Sequence, residues 1–448
     1  MTGMLAGNSQ AQVAQHFRTT DIAWFTLIGA LVGTFVVPFG VKAASLWGKK
    51  RVIIILTLTG LVGDVIAAAA TSFSMLLAGR AIAGVYVAAA PIAYSLARDV
   101  FPRKIVGTAS GLLGGSVGIV ALVGPFLSGW LIDNHGFRGA LWFMAVATLI
   151  GLVLTGLFVP ESPVRETGRM NWLSGLLLGG GITSVVYAIG EGTHWGWTSG
   201  KFFTFIGAGA VLLLLFAAAE RKTEAPFFPG ALVRRREVWT VLLATAIAGG
   251  CIYAVGTVVQ ILSLMPAIPG VSDGMGWSAT KVALITSPMS LILIATAIGA
   301  GSLARRIDLR YLLASGAAIA AVGYGLLSQF HGSVTEFVIC GSIAGIGMGL
   351  VVSTIPVMII AAVRPEEQAL GNGAQNVMQG VTQVLFTQVA FVVMAQSGVV
   401  LKGTQFYRDS GFTNGILIVV GFLVLAAVLT ALIPRLKRLD QVETGHAA

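Results

Sequence analysis

Leu77-Ala78-Gly79-Arg80-Ala81-Ile82-Ala83-Gly84 sets one arginine inside apolar sequence, and how that stretch is read decides the fold. A helix break at Pro91 follows it, then a basic turn (Arg98, Asp99, Arg103, Lys104). A glycine-rich apolar run comes next and ends Gly124-Pro125-Phe126-Leu127-Ser128-Gly129. At the depth of hydrocarbon a guanidinium costs at least a few kcal/mol, and it persists only facing a polar interior or a partner charge. The glycines let helix backbones approach closely, and the Gly124-Pro125 pair is expected to bend the helix that carries it. Buried charge beside a closely packed, bendable helix points to a transport pathway.

The rest of the chain agrees with a membrane setting. Of its 448 residues 56% are hydrophobic and only 10% are charged, where a soluble domain carries about a quarter charged residues. Thirteen apolar segments follow one another, at about 22–46, 52–70, 73–97, 106–132, 139–159, 172–190, 202–219, 238–266, 278–304, 310–329, 334–363, 371–397 and 413–434. Each is long enough to span, whereas residues 1–20 are polar and are expected not to. No segment shows the strict alternation of a membrane barrel, so an all-α polytopic bundle of about 13 helices is expected.

The net charge of +10 is best explained by orientation in the bilayer and not by nucleic acid. Lys49-Lys50-Arg51, Arg234-Arg235-Arg236 and Arg435, Lys437 and Arg438 cluster with other basic loops on one side. The positive-inside rule makes that side, and the C-terminus with it, cytoplasmic.

Gly84-x6-Pro91 in the third span is echoed by Gly349-x6-Pro356 in the eleventh, which marks an internal repeat. The expected division is a first bundle over 1–160, an insertion with two spans over 161–237, and a six-helix bundle over 238–448. Cys251 and Cys340 lie in apolar runs and read as small core residues. No phosphate-binding G-x-x-x-x-G-K-[ST] is present and the five histidines form no ligand cluster, so no enzyme activity, cofactor or metal is expected.

Two polar features interrupt the apolar runs. Asp64 and Arg80 each lie eight positions from the turn near Ser72, which places them at about the same depth. They read either as a carboxylate that exchanges a proton beside an arginine, or as a permanent ion pair. In the twelfth span Gln375, Gln379 and Gln383 recur every four residues and share a helical face, which either lines a wet path or bonds to a neighbouring helix. Gln260 and Tyr253 in the eighth span could face the same space.

These residues carry a resemblance. The chain resembles the major facilitator superfamily, and within it the fourteen-span drug:proton antiporter branch with two extra central helices. Leu77-x-x-Arg80-x-x-x-Gly84 is similar to the family's fourth-helix motif, whose arginine is linked to proton coupling. Gly111, Gly124, Pro125 and Gly129 match its fifth-helix antiporter motif, with Val120 and Ser128 in place of glycines. Gly48-Lys49-Lys50 is similar to the end of its cytoplasmic loop motif, with Val41 and Ser45 at the glycine and aspartate positions. Phe17 through Trp24 resembles the loop joining the family's first two helices, so the first helix is expected to be missing, either because the coding start is misplaced, the favoured reading, or because the product is a remnant.

The resemblance implies a monomeric secondary transporter of the bacterial cytoplasmic membrane that exports amphipathic small molecules against protons by alternating access, using the proton gradient and no cofactor. Arg80 and Asp64 would couple to protons, while Gln260, Tyr253, Gln375, Gln379 and Gln383 would contact substrate. An importer or lipid or metabolite transporter, or a degenerate membrane sensor that does not transport, are the alternatives.

Overall fold

A computed structural model describes residues 2–100, 103–163, 165, 170–223, 232, 234–304, 307–363 and 368–435. It is helical throughout apart from two short hairpins. In the first half, α1 spans Thr2–Phe17, α2 Ala23–Trp47, α3 Lys49–Ala68 and α4 Phe73–Ala83. A 3-10 turn covers Gly84–Ala88, and α5 Ala89–Val100, α6 Arg103–Phe158, α7 Trp172–Trp195 and α8 Gly200–Lys222 follow. In the second half lie α9 Arg236–Leu264, α10 Ala279–Leu303, α11 Leu309–Gln329, α12 Val334–Ala362, α13 Gln368–Gln396 and α14 Asp409–Leu429. The antiparallel pair β1 (Ala267–Ile268) and β2 (Ser272–Asp273) follows α9, and β3 (Gly398–Leu401) pairs with β4 (Thr404–Tyr407) after α13.

Among the described residues 12 helical stretches are long and apolar enough to cross a membrane. The chain divides into two compact units, one of Met1–Phe227 with Ser278–Thr280 and Val400–Gln405, the other of the remainder.

Local chemistry sets the ends. Gly48 turns the chain between α2 and α3 at φ 107°, a conformation that suits glycine. The side chains of Ser72, Asn171, Ser199, Asp308 and Ser333 accept N–H bonds at the starts of α4, α7, α8, α11 and α12. Ser333 and Glu336 close a full capping box. The 3-10 turn before Pro91 has a direct cause, because a proline ring clashes with the carbonyl four residues back, here that of Val87. The break expected at Pro91 is thus displaced one turn toward the N-terminus.

Two expectations are corrected. Residues Thr2–Phe17, where no helix was expected, form one with Leu5, Asn8, Ser9, Gln10, Val13 and Ala14 buried, although it is not among the helices long and apolar enough to cross a membrane. The bundle therefore does contain a helix ahead of the one starting at Ala23. In α6 the backbone stays helical through Pro125, and the break comes at Gly136 (φ 66°, ψ −178°). The segments 106–132 and 139–159 fall on either side of it.

Glycines set the closest helix contacts in each unit. In the first, a Cβ on Gly63 would lie 2.3 Å from the Ala83 nitrogen, and one on Gly79 would lie 2.5 Å from the Ala67 nitrogen, so α3 and α4 meet backbone to backbone. In the second, Gly323 and Gly347 do the same for α11 and α12, each 2.2 Å from a backbone nitrogen. Gly84 packs on Gly29 of α2, and its echo Gly349 packs on Leu293 and Thr296 of α10. The repeated sequence thus marks a repeated contact inside each unit.

The helices α7 and α8 pack closely on each other, with Gly181 against Leu213 and Gly209 against Val185. They meet α2 through Phe35 on Gly179, Phe39 on Gly175 and the stacked Phe39–Trp172 rings. The outer helix α8 is otherwise bare, with Leu214 70% exposed.

Candidate functional site

The first unit holds charge where a spanning bundle least tolerates it. Asp64 on α3 is 2% exposed and Arg80 on α4 is 7% exposed. The α3–α4 hairpin positions both, and the Gly63 and Gly79 contacts beside them hold the two helices at minimum separation. Thr148 on α6 donates its hydroxyl to Asp64 Oδ2 at 2.9 Å. The Arg80 guanidinium lies 5.7 Å over the Phe25 ring of α2, a cation–π distance. Arg80 is within electrostatic reach of Asp64, yet among the described residues the two form no hydrogen bond or ion pair. Asp64 Oδ1 and Arg80 Nε and Nη1 are sealed from solvent without a partner. The permanent ion pair, one of the two readings of the sequence, is absent.

The helix α1 adds polar groups that sequence reasoning missed. Asn8 Nδ2 donates to Ser128 Oγ at 2.7 Å, with both residues buried, and Gln10 Nε2 donates to Thr26 Oγ1 at 2.8 Å. Ser128 occupies a glycine position of the antiporter-like run, so the hydroxyl that departs from the family's pattern is the one that anchors α1. Gly124 and Gly129 are buried and Pro125 is partly buried. Gly111 lies in α6, in a stretch whose side chains are outside the described set. Replacing Ser128 with glycine should remove the bond from Asn8 and lower stability by about 0.5–1.5 kcal/mol. Thermal unfolding in detergent measures this, and the Asn8→Ala and Ser128→Ala losses should be clearly less than additive in the double variant.

The residues of the basic loop after α2 form a charged network. Lys49, itself buried, pairs with Asp99, which also accepts the Ser162 hydroxyl at 2.6 Å. Glu161 caps the start of α3, taking the backbone N–H of Lys50 at 2.9 Å and of Arg51 at 3.1 Å. Gly48 lies beneath it at φ 107°, the backbone conformation that favours glycine there. The Lys50 ammonium reaches the Gly156 carbonyl at 2.9 Å. Asp99 and Glu161 counted only as loop charges in the sequence, and their partners are 50 and 111 residues away.

Burial pushes the Glu161 carboxyl up, but the N–H groups of Lys50, Ser162 and Arg51 and the Arg165 charge outweigh it and hold the carboxyl below its ordinary range. A carboxylate lowered on folding stabilises the fold above its unfolded value, and that contribution is lost as pH falls through the folded value. Glu161→Gln should therefore lower the unfolding temperature near neutral pH and weaken its decline in acid, which a thermal-unfolding series against pH will read.

In the second unit the glutamine face splits. Gln375 Nε2 donates to Gln379 Oε1 at 2.6 Å, and Gln379 lies over Gly249 of α9, so this part joins helices. Gln383 is only partly buried. Along α9, Tyr253, Gly256, Thr257 and Gln260 form an open stripe on a helix otherwise mostly buried, with Tyr253 49% exposed. Gly249, Tyr253 and Gln260 share that face by helical spacing, which brings Tyr253 one turn from the residue that Gln379 covers.

Comparison with known proteins adds to this geometry. A family model described as Major Facilitator Superfamily matches residues 1–387 and 258–446. An uncharacterized MFS-type transporter of Mycobacterium tuberculosis is 30% identical over 326 residues, which are 71% of this chain and 45% of that protein. The chain thus spans less than half the length of that relative. The multidrug transporter protein MdtP of Bacillus subtilis is 22% identical over an alignment covering 100% of this chain and 77% of its own length. The crystal structure of a POT family transporter in complex with 5-aminolevulinic acid superposes with a TM-score of 0.66 at 15% identity, over 95% of this chain and 92% of that one.

Proposed function

From the premise that this chain belongs to the major facilitator superfamily, and is therefore a multi-pass membrane secondary transporter and not an enzyme, we propose that it exports amphipathic small molecules from bacterial cells in exchange for protons. The observation that carries the reading is the buried Asp64 and Arg80, which are unpaired with each other. A structural ion pair would have neutralised this charge, whereas a carboxylate that must gain and lose a proton is served by a nearby cation held short of contact. Asp64 exchanges the proton, and Arg80 biases which form is stable.

The open stripe of Tyr253 and Gln260, with Gln383 and the bonded Gln375–Gln379 pair, offers substrate an aromatic face and amides, which suits amphipathic compounds. The glycines and proline at Gly111, Gly124, Pro125 and Gly129 give α6 its flexure, and Gly48-Lys49-Lys50 with Asp99 and Glu161 latches the cytoplasmic ends of the first unit. The name of the Bacillus subtilis relative, a multidrug transporter, supports drugs as the substrates. The basic loops support a cytoplasmic C-terminus in the cell membrane. The protein acts as a monomer, needing only the proton gradient.

Inverted membrane vesicles carrying the protein test this. On energisation they should accumulate an amphipathic cationic dye, and a protonophore should release it. Energised vesicles that accumulate no more dye than vesicles lacking the protein would overturn the reading, and accumulation by intact cells would reverse its direction.

A further inference from the structure

We propose that His331, in the turn between α11 and α12, is a proton-binding site whose imidazolium form clamps the end of α11 to the start of α14. Its side chain is 12% exposed and lies between two acceptors. Nδ1 is 3.0 Å from the Leu327 carbonyl oxygen, and Nε2 is 2.8 Å from Asp409 Oδ1. A carbonyl and an ionised carboxylate only accept, whereas a neutral imidazole has a single N–H to give. Only a ring carrying two protons makes both contacts at once. A neutral ring would turn one nitrogen lone pair onto an oxygen lone pair. The site involves none of the residues assigned to export and stands or falls apart from that reading.

The clamp has a permanent counterpart at the other end of the same helix pair. The helices α11 and α14 pack side by side. Arg310, at the start of α11, donates through Nη1 to the Ile433 carbonyl just past α14 at 3.0 Å. Arginine keeps its charge, while histidine changes its charge between about pH 5 and 8. One end is therefore fixed and the other answers to acid. Thr413, near the start of α14, donates to the Ser328 carbonyl at 2.8 Å, a bond that needs no proton from solution. Losing the His331 proton thus loosens the last turn of α11 without parting the helices.

The neighbouring charges leave the pair intact. The Asp409 backbone N–H donates to Asp273 of β2 at 3.0 Å, which ties the β1–β2 hairpin to the same point. Glu336 of α12 is committed to the Ser333 N–H at 3.1 Å. Of the bases, Arg408 is the N-cap of α14, and Lys281 of α10 lies 5.3 Å over the Trp277 ring. Among the described residues, Asp409 is the charged group in contact with His331. With a cytoplasmic C-terminus, as proposed above, this end of α14 meets the external medium.

Nitrogen-15 spectra of the full chain in lipid nanodiscs, with its histidines labelled, test the site. His331→Gln identifies the signal by removing it. Two ring N–H groups are expected at about pH 5.5 and one at about pH 8.5, and Asp409→Asn should move the change toward lower pH. A ring neutral at the acid value, or a change indifferent to Asp409→Asn, would overturn the proposal.

Thermal unfolding separates a switch from a merely structural side chain. An ion pair that exists only while the ring is protonated stabilises the fold in acid, and the contribution is lost as pH rises. The wild type should outlast His331→Gln by about 1–2 °C at the acid value, the size suited to a pair with one exposed partner, and by nothing at the alkaline one. Arg310→Gln should lower the midpoint equally at both. A His331→Gln loss that is the same at both values would leave the ring a structural role and refute the switch.

Discussion

Arg80→Ala vesicles lose their substrate gradient while still letting the compound equilibrate. For a neutral compound exported against one proton, 100 mV inside negative supplies about 2.3 kcal/mol, enough to hold a concentration ratio of roughly fiftyfold. Without the guanidinium, Asp64 keeps its bond to Thr148 but loses the nearby cation that favours its ionised form. The ratio should fall to about one, as read by substrate distribution across energised proteoliposomes. Arg80→Lys separates charge from shape. It retains the cation but offers no planar fork, so partial coupling is expected. A full gradient in Arg80→Ala, with the protein folded, would remove the residue from the coupling machinery.

The second large effect is on stability. Leucine at Gly63 would drive a side chain into the Ala83 backbone, where even a Cβ would be 2.3 Å from nitrogen. The α3–α4 pair cannot yield without moving Asp64 and Arg80. Overpacking of this kind costs about 1–3 kcal/mol or more, which should lower the unfolding midpoint by a few °C. Gly347→Leu should do the same through α11 and α12, where the corresponding distance to the Ala320 nitrogen is 2.2 Å. Gly151 is the control, because nothing lies within 4 Å of a Cβ there and leucine should be neutral. Thermal unfolding of the three variants in one detergent decides the matter, and equal midpoints would refute the close-packing account.

How much of this was legible in the sequence varied with the range of the interaction. Spans follow from composition within about twenty residues, so the helices from Ala23 onward were readable. The matched depth of Asp64 and Arg80 was readable too, because a hairpin maps sequence distance onto depth. The helix α1 was not. Asn8, Ser9 and Gln10 make it look like a solvated tail, and they are tolerated because Ser128, the Leu5 carbonyl and Thr26 receive them, the first from 120 residues away.

Thr148 carries no local signal either. A single threonine in an apolar run looks like any core residue until a carboxylate 84 positions earlier meets it. The four-residue glutamine spacing was visible, but which member met a neighbouring helix depended on Gly249, outside any local window. Proline is the commoner helix breaker, and so Gly124-Pro125 drew the expectation of a bend. The backbone breaks instead at Gly136, whose φ of 66° is open to glycine.

The phenylalanine-on-glycine seam that joins α7 to α2 has a consequence for how the protein meets different membranes. Among the described residues α8 packs mainly on α7, so its tilt is expected to follow the acyl chains around it more than neighbouring side chains. Hydrophobic mismatch costs only fractions of a kcal/mol per Å, so a thinner bilayer tips this outrigger first and transmits the strain to α2 at Phe35 and Phe39. The Arg80 guanidinium rests on Phe25 of that same helix, and bilayer thickness thereby acquires a mechanical line to the charged centre.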